Sequence, residues 1–281
     1  MGSQHGSDGG SRHPTYKVTA LKTGTLSVDK AAMTYMSGFG EVVHLPVWAA
    51  AVEGNGLRIL IDTGVRDHDR WDHDLNPCWR EEDESIEAAL AEIGWRPRDV
   101  DVVVNSHLHY DHAENNLAFP QAQMVVSRAE WEYAKDPVPS QRKLYDFAWT
   151  DENVTVMNYQ LIAVDDYDLF PGIRLIQTPG HSRGHQSVLV RTDEGVLCVA
   201  GDAACLPESF SGPRAPGGAT SIEQGFQSIE RIRTSADLIF MNHDPNLAKF
   251  QSSGYPAVPA VGSDPLPGSV HTLSGRQSHP H

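Results

Sequence analysis

Cysteine, basic residues and long apolar runs are all scarce in this sequence. Its three cysteines, Cys78, Cys198 and Cys205, are odd in number and far apart, which excludes a disulfide framework and a CxxC zinc site. No apolar run approaches the roughly 18 residues that a membrane span needs. No apolar stretch follows the opening "MGSQHGSDGGSRHP", as a signal peptide would require. We therefore predict a cytoplasmic protein that has no membrane partner.

The deficit of basic residues argues against nucleic-acid binding. The chain has 37 acidic and 22 basic residues and a formal net charge of −15, so its field repels phosphate backbones. Its 281 residues, 40% of them hydrophobic and 21% charged, are typical of a globular protein with a sizeable core. We expect a small molecule as the partner, and no nucleic acid.

Composition divides the chain into three parts. Residues 1–14 and 257–281 are rich in Gly, Ser, Pro and His, which predicts disordered tails. No linker-like composition interrupts residues 15–256. We therefore predict one folded domain over that range.

Within this range, strand-like and helix-like patterns alternate. Apolar residues at helical spacing follow Ser85, a typical N-cap, and stop at Gly94; "RAEWEYAKD" and "SIEQGFQSIERIRTS" also predict helices. A hairpin is predicted with its turn at Gly54-Asn55-Gly56. Runs rich in β-branched residues predict the strands "TYKVTALKTG", "VDVVVNS", "AQMVVS", "IRLIQT", "QSVLVRT", "GVLCVAGD" and "DLIFMN". The fold class is α/β (α+β), with helices layered outside sheets.

Potential metal ligands follow four of the predicted strands. The stretch "VVVNSHLHYDHAENN" places three histidines and an aspartate in six positions, and three later strands run into a histidine or an aspartate. Imidazole and carboxylate together suit a borderline transition metal such as Zn²⁺. The predicted ligands are His107, His109, Asp111, His112, His181, Asp202 and His243.

Seven ligands are too many for one tetrahedral ion and suit two. Alternate residues of an extended chain point the same way, so His107 and His109 would hold one ion. Asp111 and His112 follow a turn and would face a second ion, and Asp202 could bridge the two. Paired metals lower the pKa of bound water from about 15.7 to about 7, which supplies a nucleophile at neutral pH. We predict no ligand role for four other histidines: His44, His68, His73 and His185.

The segments "SHLHYDH", "TPGHSRGHQS", "AGDA" and "NHD" resemble, in order, the signature segments of the metallo-β-lactamase fold superfamily. The flanking "LIDTG" and "SRAEWEYA" are similar to the quorum-quenching N-acyl homoserine lactonases, and also to small-ring hydrolases such as 4-pyridoxolactonase. The resemblance implies a four-layer αββα sandwich. It also implies a first metal on His107, His109 and His181, a second on Asp111, His112 and His243, a bridging Asp202, and an orienting rather than ligating His185.

The resemblance further implies a lactonase mechanism. A hydroxide that bridges two divalent ions, most simply Zn²⁺, would attack the ring carbonyl, and Asp111 would carry a proton to the departing oxygen. Asp111 and Asp202 are therefore the expected catalytic residues. A homodimer is the family expectation.

Three departures from the family pattern concern the substrate. A tyrosine that usually contacts the substrate carbonyl is replaced by Cys205, whose thiol is a weak donor. A glycine pair after the first motif is replaced by Glu114-Asn115, which adds bulk and charge. Residues that would line an apolar, aromatic mouth are Met33, Tyr35, Met36, Phe39, Trp71 and Trp79.

Several other functions remain open. A hydrolase of another small ester, thioester or cyclic amide is the nearest rival. A glyoxalase II-like thioesterase needs basic residues near the C-terminal part, where "ADLIFMNHDPNLAKF" carries only Lys249. A β-lactamase would need a secretion signal, and a flavin-partnered di-iron reductase would need a glutamate in place of His109. An idle metal-binding module is the non-enzyme alternative, although such modules lose ligands and all seven are present here.

Overall fold

The described part of the chain forms twelve strands, most of them where the apolar and β-branched runs lie. The computed structural model describes residues 14–66, 77–145, 157–212 and 214–250; the predicted C-terminal tail and residues 1–13 of the N-terminal one lie outside them. The strands are β1 (Lys17–Asp29), β2 (Val42–Gly54), β3 (Leu57–Ile61), β4 (Cys78–Trp79), β5 (Val102–Val104), β6 (Gln123–Ser127), β7 (Asn158–Ile162), β8 (Asp166–Phe170), β9 (Ile173–Gln177), β10 (Gln186–Thr192), β11 (Gly195–Val199) and β12 (Leu238–Phe240).

The described helices are mostly short. They are α1 (Lys30–Met33), α2 (Ile86–Glu92), α3 (Tyr110–Ala113), α4 (Arg128–Lys135), α5 (Glu208–Ser211) and α6 (Ile222–Ser235). Short 3₁₀ segments lie at Glu82–Glu84, Pro97–Asp99, Asn116–Ala118, Arg142–Leu144, Gly201–Ala203 and Pro245–Phe250. No helix in the described part of the chain is long and apolar enough to cross a lipid bilayer.

The strands form two sheets. The first has the order β4-β1-β2-β3-β5-β6-β7 and the second the order β12-β11-β10-β9-β8. β3, β5, β6 and β7 pair in parallel, with Ile59, Leu60 and Ile61 opposite Val102, Val103 and Val104. Strand β12 pairs in parallel with β11. Because parallel strands end at the same edge of a sheet, the residues that follow them are brought together.

Alternation along the strands separates the core into layers. Ile59, Ile61 and Val104 belong to a cluster between the sheets that also holds Val188 and Val199. Residues of the opposite parity in the first sheet, such as Leu60, pack instead with α2, and the outer face of the second sheet packs with α6. Both faces of each sheet are therefore covered, and the predicted four-layer αββα sandwich is confirmed.

The predicted turns and caps agree with the structure. Asn55 and Gly56 have φ of 51° and 76°, as a two-residue hairpin turn requires. The Ser85 hydroxyl accepts a hydrogen bond from the Ala88 N–H at 3.1 Å. Strand β1 continues to Asp29, five residues beyond the predicted run, because Thr25 to Asp29 pair with β2.

Candidate metal centre

Four strand ends deliver the predicted ligands to one edge of the two sheets. β5 leads through Asn105 and Ser106 into His107, and β9 is followed by the loop that carries His181. Asp202 lies in the 3₁₀ turn after β11, and His243 follows β12. The short helix α3 turns the chain after His109, which is its N-cap, and carries Asp111 and His112. All seven side chains are at least nine-tenths buried.

The side chains form two adjacent groups. In the three-histidine cluster, the donor atoms of His107, His109 and His181 lie within 4.8 Å of one another. His109 Nδ1 lies 3.0 Å from His181 Nε2. The second group, here called the mixed cluster, consists of Asp111, His112, Asp202 and His243, whose donor atoms also lie within 4.8 Å of one another.

Asp202 faces both clusters. Its Oδ1 lies 3.3 Å from His112 Nε2 and 3.3 Å from His243 Nε2. Its Oδ2 lies 3.5 Å from His181 Nε2. The two oxygens of one carboxylate are therefore directed at different clusters, as bridging of two ions requires.

The three-histidine cluster is electrostatically prepared for a cation. Burial and the neighbouring imidazoles lower the pKa of His107 and of His109 well below the ordinary value. Both rings are therefore neutral at pH 7 and offer lone pairs. His107 Nε2 is buried and has no hydrogen-bond partner, and His109 Nδ1 and His181 Nε2 face each other at 3.0 Å. A buried nitrogen without a partner is costly unless something binds it, and neutral imidazoles that face one another offer their lone pairs to the same point, so the three rings fit a metal ion.

The mixed cluster has the opposite balance. Burial disfavours the charged form of His112 and of His243, but the carboxylates of Asp111 and Asp202 outweigh it and raise the pKa of both rings. Burial likewise opposes the charge on Asp202, but His243 and His112 hold its pKa well below the ordinary value. The rings and carboxylates attract one another as ion pairs, but His112 Nε2 and Asp202 Oδ1 stay without a hydrogen-bond partner. A metal ion would replace the protons on the two rings.

Asp62 is a functional residue that sequence reasoning missed. It follows β3, has φ of +60°, and is buried. Its Oδ2 lies 2.8 Å from His112 Nδ1 and accepts a hydrogen bond from the Ser106 hydroxyl at 2.7 Å. A carboxylate on the far nitrogen of an imidazole fixes the ring and its tautomer. The signal was present, because "LRILIDTG" is a fifth strand that runs into a buried carboxylate.

Glu130 was also missed. It lies in α4 and its carboxylate is fully buried between the loops of the three-histidine cluster. On a helix it shares one face with Tyr133 and Ala134, which are both buried. An acidic residue on an apolar face was the available signal.

His185 lies beside the clusters and in neither of them. Its Nε2 accepts a hydrogen bond from the Asp202 N–H at 3.0 Å, and its Nδ1 contacts the Thr178 hydroxyl at 2.9 Å. Burial lowers its pKa to about 3. Its contacts are those of a residue that orients Asp202. His44 is exposed, and its ring lies 5.2 Å from that of Trp79. His68 and His73 lie outside the described residues.

The residues expected to line a substrate mouth divide into two groups. Tyr35, Met36, Phe39 and Trp79 are exposed large side chains, whereas Met33 packs in the core with Leu26 and Leu45. Trp71 lies outside the described residues.

Cys205 is fully buried in that same core cluster, and burial raises the pKa of its thiol well above the ordinary value. It therefore has no exposed surface with which to replace the tyrosine of the family pattern.

Glu114 and Asn115 bind a neighbouring loop. The Asn115 amide donates to the carbonyls of Thr63 and Val65 at 2.9 and 3.0 Å. The Glu114 carboxylate accepts a hydrogen bond from the Arg66 N–H at 2.8 Å. Their bulk is therefore used to hold the loop that follows β3.

Comparison with known proteins agrees with this geometry. The family profile of the "Metallo-beta-lactamase superfamily" matches residues 43–243, a range that contains all seven clustered residues. The chain belongs to the metallo-beta-lactamase superfamily. The profile begins in β2 and ends at His243, so it covers most of both sheets.

Within this superfamily, the chain is similar to N-acyl homoserine lactonases. It is 30% identical to one from Bacillus cereus over 244 residues, which cover 81% of this chain and 93% of that protein. It is also 30% identical over 251 residues to N-acyl homoserine lactonase AttM from Rhizobium radiobacter, covering 80% of this chain and 92% of that one. The resemblance to this branch that was predicted from the sequence is confirmed.

Solved structures show the same similarity. An N-acyl homoserine lactone hydrolase with the product N-hexanoyl-L-homoserine at its catalytic metal center superimposes with a TM-score of 0.72 at 28% identity, covering 83% of this chain and 95% of that one. A variant of AiiA from B. thuringiensis with N-decanoyl-L-homoserine at the active site gives a TM-score of 0.73 at 28% identity, with the same coverage.

Proposed function

We propose that this protein is a metal-dependent hydrolase that opens a lactone ring, with N-acyl homoserine lactones as the first substrates to test. The observation that carries the proposal is the position of Asp202, whose two oxygens face two clusters of buried donor atoms. The similarity to N-acyl homoserine lactonases over four-fifths of the chain supports the choice of substrate. Such an activity would be quorum quenching.

His107, His109 and His181 would hold one ion and Asp111, His112 and His243 the other, with Asp202 shared between them. We propose Zn²⁺ for both positions, because imidazole nitrogens and carboxylate oxygens are its common ligands. When bound, a pair of divalent ions supplies a water molecule that ionises near neutral pH and a positive field for developing oxyanions.

The protein's own residues would orient this chemistry and move a proton. Asp111 and His181 are the most exposed of the seven residues, at 7% each, so we place the approach of the substrate on their side. The water oxygen bonds to the ring carbonyl carbon and gives up a proton to the Asp111 carboxylate; the ring carbon–oxygen bond then breaks, and Asp111 delivers that proton to the departing oxygen. The product is the open hydroxy acid. Asp62 keeps His112 in the ring orientation that this arrangement needs.

The buried thiol of Cys205 favours a second candidate within the same chemistry. No tyrosine stands at that position to contact an acyl carbonyl, so another small lactone, ester, thioester or cyclic amide is the alternative substrate. The cytoplasmic location, the homodimer and the lack of a nucleic-acid partner stay predictions, as does an idle metal-binding module as the non-enzyme alternative.

The test is a substrate panel on the metal-reconstituted full-length protein. We expect N-acyl homoserine lactones to be hydrolysed with a higher kcat/KM than esters, thioesters or cyclic amides. In His109→Ala, kcat/KM should fall by more than the roughly 10–100-fold that loss of an orienting partner causes. His44→Ala, which removes an exposed histidine outside both clusters, is the matched control and should act like the wild type. Silent lactones beside an active thioester or amide would overturn the proposal.

A further inference from the structure

We propose that Glu130 is a positioning residue that ties the loop of His107 and His109 to the loop of His181 and thereby sets the affinity of the three-histidine cluster for its ion. This inference rests on the proposed function in one respect only, that the cluster binds a metal. Its readout is metal binding, so it is tested separately from lactone hydrolysis.

The Glu130 carboxylate accepts hydrogen bonds from both ligand loops. Its Oε1 accepts from the Leu108 N–H at 3.1 Å, and Leu108 stands between two histidines of the cluster. Its Oε2 accepts from the Ser182 hydroxyl at 2.6 Å and from the Gly184 N–H at 3.1 Å, in the loop just after His181. One side chain thus joins two segments that are more than 70 residues apart in sequence.

A fourth donor connects the carboxylate to the ring of His109. The Tyr145 hydroxyl donates to Glu130 Oε1 at 2.8 Å. The Tyr145 ring packs edge-on against the ring of His109, with centroids 4.8 Å apart. Glu130 therefore holds both the backbone before His109 and an aromatic side chain that limits the rotation of its ring.

Glu130 forms no ion pair with a basic side chain of the described residues, and the guanidinium of the nearby Arg183 lies over the Tyr133 ring instead. Within the described part of the chain, no lysine or arginine nitrogen lies within 4 Å of this carboxylate, which is fully buried. A buried carboxylate without a cation is costly even with four donors. A divalent ion held by the adjacent histidines would supply the opposite charge, so the carboxylate and the ion should stabilise each other.

The loop that follows His181 also packs directly against helix α4. A Cβ added at Gly184 would lie 1.9 Å from the Glu130 backbone nitrogen. The loop can therefore approach α4 this closely only because residue 184 is glycine. This contact holds Gly184 beside the carboxylate that its N–H binds.

The contacts of Glu130 predict an effect on one cluster and not the other. The mixed cluster is oriented from elsewhere, since Asp62 contacts His112 and the Pro46 carbonyl contacts His243 Nδ1 at 2.9 Å. Loss of the carboxylate should loosen the three-histidine cluster and leave the mixed cluster in place. A purely structural residue would weaken both sites together.

The experiment is Glu130→Gln in the full-length chain, with Zn²⁺ and Co²⁺ titrated into the metal-free protein against a chromophoric chelator. In the glutamine, an NH₂ group replaces one of the two carboxylate oxygens and faces the backbone N–H of Leu108 or of Gly184. That N–H therefore loses its acceptor. We expect one ion to bind with wild-type affinity and the other to bind about 10–100-fold more weakly. Glu84→Gln, a buried carboxylate paired with Lys22, is the matched control and should leave both affinities unchanged.

A double variant identifies the site that is affected. His109→Ala already disables the three-histidine cluster, so adding Glu130→Gln to it should cause no further loss of metal affinity. If Glu130→Gln proves too unstable to purify, Tyr145→Phe removes a single donor and should weaken the same ion by a smaller factor.

Two wild-type-like affinities in Glu130→Gln, or equal weakening of both ions, would overturn the inference. A wild-type chain that binds two ions but hydrolyses no lactone would contradict the proposed function alone.

Discussion

His185 is a neutral imidazole that orients the predicted ligand Asp202 through a hydrogen bond to its backbone. The Asp202 N–H can only donate, so His185 Nε2 is the acceptor and its proton must lie on Nδ1. That proton is donated to the Thr178 hydroxyl, which contacts the Ser187 hydroxyl at 2.8 Å; Ser187 in turn donates to the Ala200 carbonyl at 2.9 Å. The chain of donors closes on the backbone two residues before Asp202. His185 thereby fixes the position of the backbone that carries the Asp202 carboxylate.

The pKa of His185 predicts a pH dependence of stability. The pKa of His185 is about 3 in the folded protein and 6.5 ordinarily. Below pH 6.5, His185 is therefore protonated in the unfolded chain and stays neutral in the folded one. Stability is therefore lost as pH falls from about 6.5 towards 3, at up to about 1.4 kcal/mol per pH unit from this residue. Denaturant unfolding of the metal-loaded protein at several pH values from 7 to 5 measures the change of the unfolding free energy with pH. This change should be smaller for His185→Gln than for the wild type. Parallel slopes for the two proteins would contradict a neutral, buried His185.

The seven residues that form the two clusters could be predicted from the sequence, and the residues that orient them could not. His107 and Asp202 stand out because polar side chains directly follow apolar runs. Asp62 does the same, but a single aspartate after a strand is common. Glu130 looks like an exposed helix residue until its partners, Leu108 and Gly184, are seen to come from distant loops. Orientation depends on tertiary contacts, which sequence spacing does not contain.

The same division holds for whole elements. The buried runs predicted β5, β6 and β9 to β12 because strands covered on both faces are apolar throughout. β7 and β8 were not predicted, since "NYQLI" and "DYDLF" are only partly buried and mix polar with apolar residues. The helix α3 is four residues long, too short to show a helical period. It forms because the chain must turn between the two ligand clusters.

The turn after β11 depends on a glycine that has no room for a side chain. Gly201 has φ of +57°, and an added Cβ would lie 2.6 Å from His185 Nε2 and 2.8 Å from Ser106 Cβ. Gly56 has φ of +76° and open space around it, so Gly56→Ala isolates the backbone strain, about 1 kcal/mol. We expect Gly201→Ala to lower the free energy of unfolding by at least about 1 kcal/mol more, since overpacking adds to that strain.

Gly201→Ala should also weaken metal binding, because it displaces the backbone that carries Asp202. Denaturant unfolding and metal titration of both alanine variants measure the two effects. Equal losses of stability in the two variants would show that the space around Gly201 is not limiting.

At the scale of the whole molecule, the clusters lie across the junction of the two sheets. The clustered residues that follow β5 of the first sheet are His107, His109, Asp111 and His112. Those that follow strands of the second sheet are His181, Asp202 and His243. Each cluster takes side chains from both sheets. Bound ions would therefore act as cross-links between the two halves of the domain. Two divalent ions would also stabilise the folded state electrostatically, because they offset part of the self-repulsion that comes from the net charge of −15.

Removal of metal should consequently destabilise the entire domain and not only one edge. An ion that binds the folded state alone stabilises it by RT ln(1 + [L]/Kd), which is about 1.4 kcal/mol for each tenfold rise in free ion above saturation. With two ions the wild type should gain about 2.8 kcal/mol per tenfold rise, and His109→Ala, with one cluster disabled, about half as much. Thermal and denaturant unfolding at buffered free Zn²⁺ concentrations measure these slopes. Hydrogen exchange should show that chelation lowers protection in both sheets, because each loses its cross-link to the other. A wild-type slope that matches that of His109→Ala would mean that only one ion is coupled to folding.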